Sequence, residues 1–249
     1  MKNEKKAYTC SDCGAFSVKW QGQCPDCNAW NSLNETVVAK KNSFSEKTLE
    51  LKRLNEIDEE LIIRYDSGFI EFDRVLGGGL VPGSVVLVGG DPGIGKSTLL
   101  QQIASNLPLD LAACYVTGEE SVNQVAQRSS RIGTSQSTVL VMSSTSLEQI
   151  FHQVKKSESQ VVIIDSIQTM MSSGINSSPG SVSQLKESVG ELVQFAKQNE
   201  ITILLIGHVT KDGAIAGPKI VEHMVDTVLY FENDLASRFT VIRTVKNRF

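Results

Sequence analysis

The chain contains a glycine-rich nonapeptide, Gly90-Asp91-Pro92-Gly93-Ile94-Gly95-Lys96-Ser97-Thr98. It follows the apolar run Val85–Val88 and precedes apolar residues at helical spacing, Leu99, Leu100 and Ile103. In this setting the glycines let successive backbone N–H groups turn inward, and the following helix adds the positive end of its dipole. The pattern predicts a nucleotide-binding phosphate loop, in which Lys96 reaches the β- and γ-phosphates and the Ser97 hydroxyl ligates Mg²⁺.

Length and composition limit the class of protein. The chain has 249 residues, of which 41% are hydrophobic and 21% charged, and these values are ordinary for a soluble globular protein. No apolar run approaches the roughly 20 residues of a membrane span, and the first residues are polar, so we expect a cytoplasmic protein without membrane contacts. A net charge of −4 gives no overall basic field, so nucleic-acid binding would need a local patch or several subunits in an oligomer.

Four of the five cysteines form a C-x2-C-x10-C-x2-C array, made of Cys10, Cys13, Cys24 and Cys27. Two such pairs converge naturally on a tetrahedral Zn²⁺, and four cysteine ligands leave no open position, so we predict a structural zinc site. The segment around them has too few apolar residues to fold alone, and metal binding would supply the missing stability. Disulfide pairing is the main alternative, but we disfavour it for a chain expected in a reducing compartment. The fifth cysteine, Cys114, lies in an apolar strand and is predicted to be an ordinary core residue.

The sequence divides into three parts. Residues 1–35 are the predicted zinc module, residues 36–64 are polar and predict a linker, and residues 65–249 form the predicted nucleotide-binding domain. From Gly68 onward, short apolar strands alternate with helical segments, which predicts an α/β fold with a mostly parallel sheet. The predicted strands are Ser84–Val88, Ala112–Thr117, Thr138–Met142, Val161–Asp165, Thr202–Gly207, Thr227–Phe231 and Phe239–Thr244, the last two forming a hairpin. The predicted helices are Lys96–Asn106, Val122–Arg128, Leu147–Lys156 and Val182–Asn199.

Polar residues follow three of the predicted strands, where ligands of open α/β sheets bind. Glu119 and Glu120 follow one strand, and one of them would orient or deprotonate the water that attacks the γ-phosphate, although a surface pair at a helix start is the simpler alternative. Asp165 ends the run Val161–Ile164 and is predicted to be a second Mg²⁺-directed carboxylate. His208 follows the strand that starts near Thr202 and would contact the γ-phosphate. The alternative is a histidine that only caps the end of that strand and has no functional role.

The segment Asp66–Ser84, which contains Gly77-Gly78-Gly79, resembles the approach to the phosphate loop in RecA-like ATPases. Together with the four-cysteine motif and the final Lys246-Asn247-Arg248-Phe249, it makes nearly the whole chain closely similar to the bacterial RadA/Sms family of DNA repair and recombination ATPases. The resemblance implies a RecA-like ATPase domain over residues 65–249, ending in the KNRF motif, behind a small zinc-ribbon-like module. Family members continue into a Lon-protease-like domain that this sequence lacks, so we expect a fragment or a shortened homologue.

The resemblance also implies a function. It predicts a homo-hexameric, DNA-dependent ATPase that binds single-stranded DNA and drives branch migration on branched recombination intermediates, alongside the RecA recombinase. Its cofactors would be ATP, Mg²⁺ and Zn²⁺. Carried over by residue, the implied roles are nucleotide and Mg²⁺ binding by Lys96 and Ser97, catalysis by Glu119 or Glu120, metal binding by Asp165, and contact with a neighbouring subunit's γ-phosphate by Lys246 and Arg248.

The DNA contacts are predicted from two loops, Thr169–Gly180 and Lys211–Lys219. Neither loop has an aromatic side chain for base stacking, so backbone N–H groups and lysines such as Lys211 and Lys219 would follow the phosphates. These segments could equally be ordinary surface loops.

Two other functions fit the same motifs. One is a nucleotide-driven signalling ATPase or kinase of this fold, similar to the circadian clock ATPase that also carries a paired Glu. The other is a zinc-based interaction module whose ring assembly depends on ATP.

Overall fold

Two β-sheets organise the chain in the computed structural model, which describes residues 6–37, 53, 63–173, 181–208, 217–233 and 239–249. The strands are β1 Lys6–Cys10, β2 Phe16–Ser17, β3 Leu33–Val37, β4 Val85–Gly90, β5 Ala113–Thr117, β6 Leu140–Ser143, β7 Val161–Asp165, β8 Thr202–Ile206, β9 Thr227–Asn233 and β10 Thr240–Lys246. The helices are α1 Ile70–Val75, α2 Lys96–Asn106, α3 Val122–Arg131, α4 Leu147–Lys156, α5 Val182–Asn199 and α6 Gly217–Met224.

The small sheet carries the four cysteines, with Cys10 at the end of β1 and the other three between its strands. Its order is β2-β1-β3, and both pairings are antiparallel. Strand β3 continues to Val37, two residues beyond the predicted end of the zinc module at residue 35. Most of the predicted linker, residues 38–52 and 54–62, lies outside the described residues.

The large sheet has seven strands in the order β10-β9-β4-β8-β7-β5-β6. All its neighbouring strands are parallel except β10 and β9, which are antiparallel. Strands β4, β7 and β8 are buried along their full length, as expected for strands covered on both faces. The predicted α/β fold is confirmed, with a mostly parallel sheet and a separate four-cysteine module.

Helices cover both faces of the large sheet. Residues of α1, α2 and α3 pack on one face around Leu100, Ile103 and Tyr115. Residues of α4, α5 and α6 pack on the other face, where Val189 and Leu192 are buried. Among the described residues, no helix is both long and apolar enough to cross a membrane.

Two short helices were not predicted from the sequence. Helix α1 has only six residues, and its first residue, Ile70, is 85% exposed, so the segment shows little helical periodicity. Helix α6 has eight residues and begins with Gly217-Pro218, which at sequence level indicate a loop; Pro is tolerated there because the first turn of a helix needs no N–H partner. Consequently Gly217–Lys219 belong to a helix, whereas the rest of the predicted loop, up to residue 216, lies outside the described residues.

Candidate functional site

Four neighbouring strands bring predicted site residues to one edge of the large sheet. In spatial order, β4 leads into the phosphate loop, β8 is followed by His208, β7 ends at Asp165, and β5 is followed by Glu119. Parallel strands end at the same edge, so residues that are far apart in sequence meet there.

The phosphate loop has the backbone that the sequence predicts. Gly93 and Gly95 have φ values of 78° and 105°, in the left-handed region that favours glycine. Gly95 is the N-cap of α2 and provides no side-chain cap, so the first N–H groups of the helix remain open to an anion. Ser97 and Thr98 lie half-buried on the first turn of α2.

Lys96 is the charged centre of this loop. Its side chain is 3% exposed, and Nζ donates hydrogen bonds to the carbonyl oxygens of Gly90, at 2.7 Å, and Asp91, at 2.8 Å. Burial lowers the pKa of Lys96, and the carboxylates of Asp165, Asp91 and Glu119 act in the opposite direction. A nucleotide phosphate would replace the two carbonyl oxygens as partner of this ammonium group.

The adjacent glutamates point to different partners. The Glu119 carboxylate accepts a hydrogen bond from the Ser166 hydroxyl, and its Oε1 lies 3.5 Å from His208 Nε2. Glu120 Oε2 instead lies 2.6 Å from Nη1 of Arg128 in an ion pair, although no N–H of Arg128 points squarely at that oxygen. Only Glu119 is therefore held toward the residues that surround the phosphate loop.

A tight approach of two strand ends fixes this turn. The Gly118 N–H donates to the carbonyl oxygen of Asp165 at 2.7 Å. A Cβ atom at position 118 would lie 2.0 Å from Thr169 Oγ1, so no side chain fits there. The Thr117 hydroxyl accepts from the Glu120 N–H and donates to the Glu120 carbonyl oxygen, each at 2.9 Å. The glutamate pair therefore sits on a rigid turn beside Asp165.

Asp165 is buried and has partners that sequence reasoning missed. Its Oδ2 accepts a hydrogen bond of 2.5 Å from the Tyr115 hydroxyl and lies 4.0 Å from Nη2 of Arg128. One sequence signal for Arg128 existed: it follows Val125 by three residues, so both lie on the buried face of α3. Tyr115 had no such signal, because it stands in an apolar strand like any core aromatic residue.

His208 lies at the same edge with one nitrogen toward Glu119. Its carbonyl oxygen accepts a long hydrogen bond, 3.4 Å, from Gln168 Nε2. His208 Nδ1 is buried and has no hydrogen-bond partner among the described residues, which stop at this position and resume at residue 217. The imidazole thus contacts the carboxylate that faces the phosphate loop.

Lys246 and Arg248 do not join this group. Strand β10 runs antiparallel to β9, so Lys246 pairs with Val228, and Val228 pairs with Leu87 in the first half of β4. Lys246 Nζ donates to carbonyl oxygens at the end of α6, including those of Glu222 at 2.8 Å and Val225 at 2.7 Å.

Arg248 marks the edge opposite to the phosphate loop. Its Nη1 lies 3.4 Å from Asp226 Oδ1, and Asp226 Oδ2 accepts from the backbone N–H of Val85, the first residue of β4. The phosphate loop follows the last residue of β4, and a strand rises about 3.3 Å per residue, so Arg248 lies roughly 15–20 Å from its own loop.

The four cysteines of the zinc module surround one point. Their sulfur atoms all lie within 4.8 Å of one another, with Cys10 and Cys27 3.6 Å apart and Cys13 and Cys24 3.5 Å apart. Four sulfurs at about 2.3 Å from one zinc ion would be about 3.8 Å apart, so the arrangement fits the metal. None of the five cysteines forms a disulfide. The predicted four-cysteine zinc-binding cluster is confirmed, and the disulfide alternative is not what the structure contains.

The module has little else to hold it together. Among the side chains that the structure describes in this module, the buried apolar ones are Cys10, Cys24 and Leu33. It contacts the large domain through a hydrogen bond of 2.9 Å from the Ser183 hydroxyl, in the first turn of α5, to the carbonyl oxygen of Cys10. Structural zinc contributes on the order of 10 kcal/mol to such folds, far more than this small core.

We expect Cys24→Ser to abolish metal binding and to unfold residues 8–35, because Cys24 is a buried ligand. Metal analysis should give about one zinc per wild-type chain and almost none for the variant. Hydrogen exchange should speed up in residues 8–35 and in the first turn of α5, while the large sheet stays protected. Cys114→Ala, outside the cluster, is the matched control and should keep its zinc. Iron in place of zinc, or an unchanged exchange pattern after metal loss, would contradict this expectation.

The sequence profile described as "AAA domain" matches residues 50–214, and that described as "Rubredoxin metal binding domain" matches residues 8–35. The chain is 49% identical, over 255 residues, to the DNA repair protein RadA of Pseudomonas aeruginosa. It is 46% identical to the protein of that name from Haemophilus influenzae and 44% identical to that from Escherichia coli. Each alignment covers 100% of this chain and 56% of the relative, so the chain spans little more than half the length of these relatives.

Proposed function

The chain belongs to the AAA domain family, and we propose that it is a DNA-dependent ATPase that binds single-stranded DNA and drives branch migration in homologous recombination and DNA repair. One observation carries the ATPase part of the proposal. The phosphate loop, His208, Asp165 and Glu119 follow four neighbouring strands at one edge of the sheet, around the buried ammonium group of Lys96. The DNA part is supported by the relatives named DNA repair protein RadA.

In the proposed reaction, the N–H groups at the start of α2 and the Lys96 ammonium group bind the phosphates of ATP. Ser97 and Asp165 would hold Mg²⁺, which prefers such oxygen ligands and would neutralise charge on the β- and γ-phosphates. The Tyr115 hydroxyl donates to Oδ2 of Asp165 and so restrains the carboxylate that would bind the metal or its water.

Glu119 is the proposed general base. A water molecule attacks the γ-phosphorus, its proton passes to the Glu119 carboxylate, and the bond from the γ-phosphorus to the bridging oxygen breaks to leave ADP and phosphate. Ser166 and His208 hold this carboxylate in position. Through the same contact, His208 would sense whether a γ-phosphate is present and pass the change to the chain that follows it.

The positions of Lys246 and Arg248 favour a homo-oligomer. Because both lie at the edge opposite to their own phosphate loop, they can reach a γ-phosphate only in another copy of the chain. We propose a homo-hexameric ring in which each chain completes its neighbour's site, as arginine fingers do in trans. The proposal includes the RecA recombinase as partner and DNA contacts by the two predicted loops, Thr169–Gly180 and Lys211–Lys219. Residues 174–180 of the first loop and 211–216 of the second lie outside the described residues.

The two alternatives receive less support. A signalling ATPase was suggested by the paired glutamates, but Glu119 and Glu120 contact different partners, which gives a shared role no support. A zinc module for which ATP serves only assembly would not need a carboxylate held beside the phosphate loop.

Single-stranded DNA is expected to raise the steady-state rate of ATP hydrolysis several-fold, because the proposed motor couples hydrolysis to movement on that strand. The rate per chain should also rise with protein concentration, since each site needs two chains. Duplex DNA is the ligand control, and Lys96→Ala, which should not hydrolyse ATP under any condition, controls for contaminating ATPases. A rate that ignores DNA at every protein concentration would argue against a DNA motor and for the signalling or assembly functions.

A further inference from the structure

A buried guanidinium group lies behind the proposed catalytic edge. Arg128, on α3, is 9% exposed, and each part of its guanidinium meets a different residue. Nε donates to Gln101 Oε1 at 2.7 Å, Nη2 donates to the Tyr115 hydroxyl at 2.9 Å, and Nη1 forms the 2.6 Å ion pair with Glu120. We call these residues, together with Asp165, the Arg128 cluster.

The cluster joins three elements that carry the phosphate chemistry. Gln101 lies on α2, the helix that begins at the phosphate loop. Glu120 lies on the turn that carries Glu119, and Tyr115 donates its hydroxyl proton to Asp165 Oδ2. Arg128 therefore contacts α2 and the turn with the two glutamates directly, and it reaches Asp165 through the Tyr115 hydroxyl.

We infer that Arg128 is a positioning residue for this site: it holds Glu120 away from the phosphates and, through Tyr115, fixes the orientation of the Asp165 carboxylate. The inference rests on the proposed ATPase function. The Tyr115 hydroxyl donates to Oδ2 and so restrains rotation of the carboxylate that would bind the metal. A planar guanidinium can donate to Gln101 and Tyr115 in fixed directions and still lie in an ion pair with Glu120, whereas a lysine ammonium group at the same position cannot match that geometry.

A purely structural role is the competing explanation, because a buried charged cluster also affects stability. The two explanations differ in what the folded variant does. A structural cluster would change the melting temperature but leave the metal requirement of the folded enzyme unchanged. A positioning cluster changes the Mg²⁺ concentration needed for nucleotide binding and hydrolysis, because it acts on Asp165.

The test uses Tyr115→Phe, which removes one hydroxyl and leaves the ring and every charge in place, alongside Arg128→Met and the double variant. We expect each single variant to lower kcat by about tenfold to a hundredfold and to raise the half-saturating Mg²⁺ concentration several-fold, since a small misplacement of a catalytic group has effects of this size. The double variant should be scarcely less active than Arg128→Met, because both changes break the same connection from Arg128 through Tyr115 to Asp165. Arg131→Met, an exposed arginine at the end of the same helix, should behave like the wild type.

A second measurement separates this inference from the proposed function. Binding of a fluorescent ADP analogue is titrated with Mg²⁺ for all variants, without any need for hydrolysis. If wild-type binding depends on Mg²⁺ and Tyr115→Phe shifts that dependence, the positioning role stands even if DNA has no effect on turnover. If Tyr115→Phe and Arg128→Met fold, and both keep the wild-type kcat and Mg²⁺ dependence, the positioning role is wrong while the ATPase proposal survives. Should Arg128→Met fail to fold, Tyr115→Phe alone decides.

Discussion

Glu119→Gln is expected to lower the rate of ATP hydrolysis by about a thousandfold while nucleotide binding stays near that of the wild type, since loss of a general base typically costs 10²–10⁴-fold. The amide keeps the size of the side chain and still accepts the Ser166 hydrogen bond, but it cannot take a proton from the attacking water. Single-turnover hydrolysis and nucleotide binding, measured separately, distinguish loss of chemistry from loss of substrate.

Glu120→Gln is the matched control, since it makes the same chemical change one residue away. Its carboxylate faces Arg128, and the amide oxygen of Gln can still contact that guanidinium. We therefore expect the rate to stay within about tenfold of the wild type, the scale of a weakened partner contact. If Glu120→Gln were the inactive variant and Glu119→Gln the active one, the roles proposed for the two glutamates would be reversed. If both were fully active, neither would be the base.

The sequence was sufficient for features whose parts are contiguous. The phosphate loop is a strand, a glycine turn and a helix in immediate succession, and Lys96 and Ser97 could be identified without knowing anything about the rest of the fold. The cysteine pairs are equally local, because each C-x2-C knuckle needs only one turn. Asp165 was predicted for a similar reason, as an acid that directly ends an apolar strand, and it does end β7.

Features that depend on distant residues were not accessible in this way. The Tyr115 hydroxyl meets Asp165 fifty positions along the chain, and Arg128 meets Gln101 twenty-seven positions before it. Their pairing follows from the strand order, which places β5 beside β7 and α2 beside α3 and cannot be read from periodicity. The different partners of Glu119 and Glu120 were hidden for the same reason, since Ser166 and Arg128 come from different elements.

Arg248→Ala is expected to leave nucleotide binding unchanged and to lower hydrolysis by about a thousandfold, as loss of an arginine finger does. In its own chain Arg248 contacts Asp226 at the edge opposite to the phosphate loop. Asp226 also keeps Lys197 at 3.5 Å and the Val85 N–H as partners, so we expect the variant to fold. Arg243→Ala, on the exposed part of β10, controls for loss of a cation nearby. Asp226→Asn controls for loss of the internal ion pair and should keep hydrolysis. Weakened nucleotide binding by Arg248→Ala would instead indicate a role in its own pocket.

Mixing two inactive variants tests whether Arg248 acts on another chain. Glu119→Gln chains retain Arg248, and Arg248→Ala chains retain Glu119, so a mixed ring contains some interfaces with both intact groups. For random mixing in equal amounts about a quarter of the interfaces of a head-to-tail ring qualify, and activity should rise toward that fraction of the wild type. If Arg248 acted within its own chain, every site would lack one group and mixing would restore nothing. Recovery that vanishes on dilution would further tie catalysis to assembly, because a site built from two chains cannot outlast their dissociation.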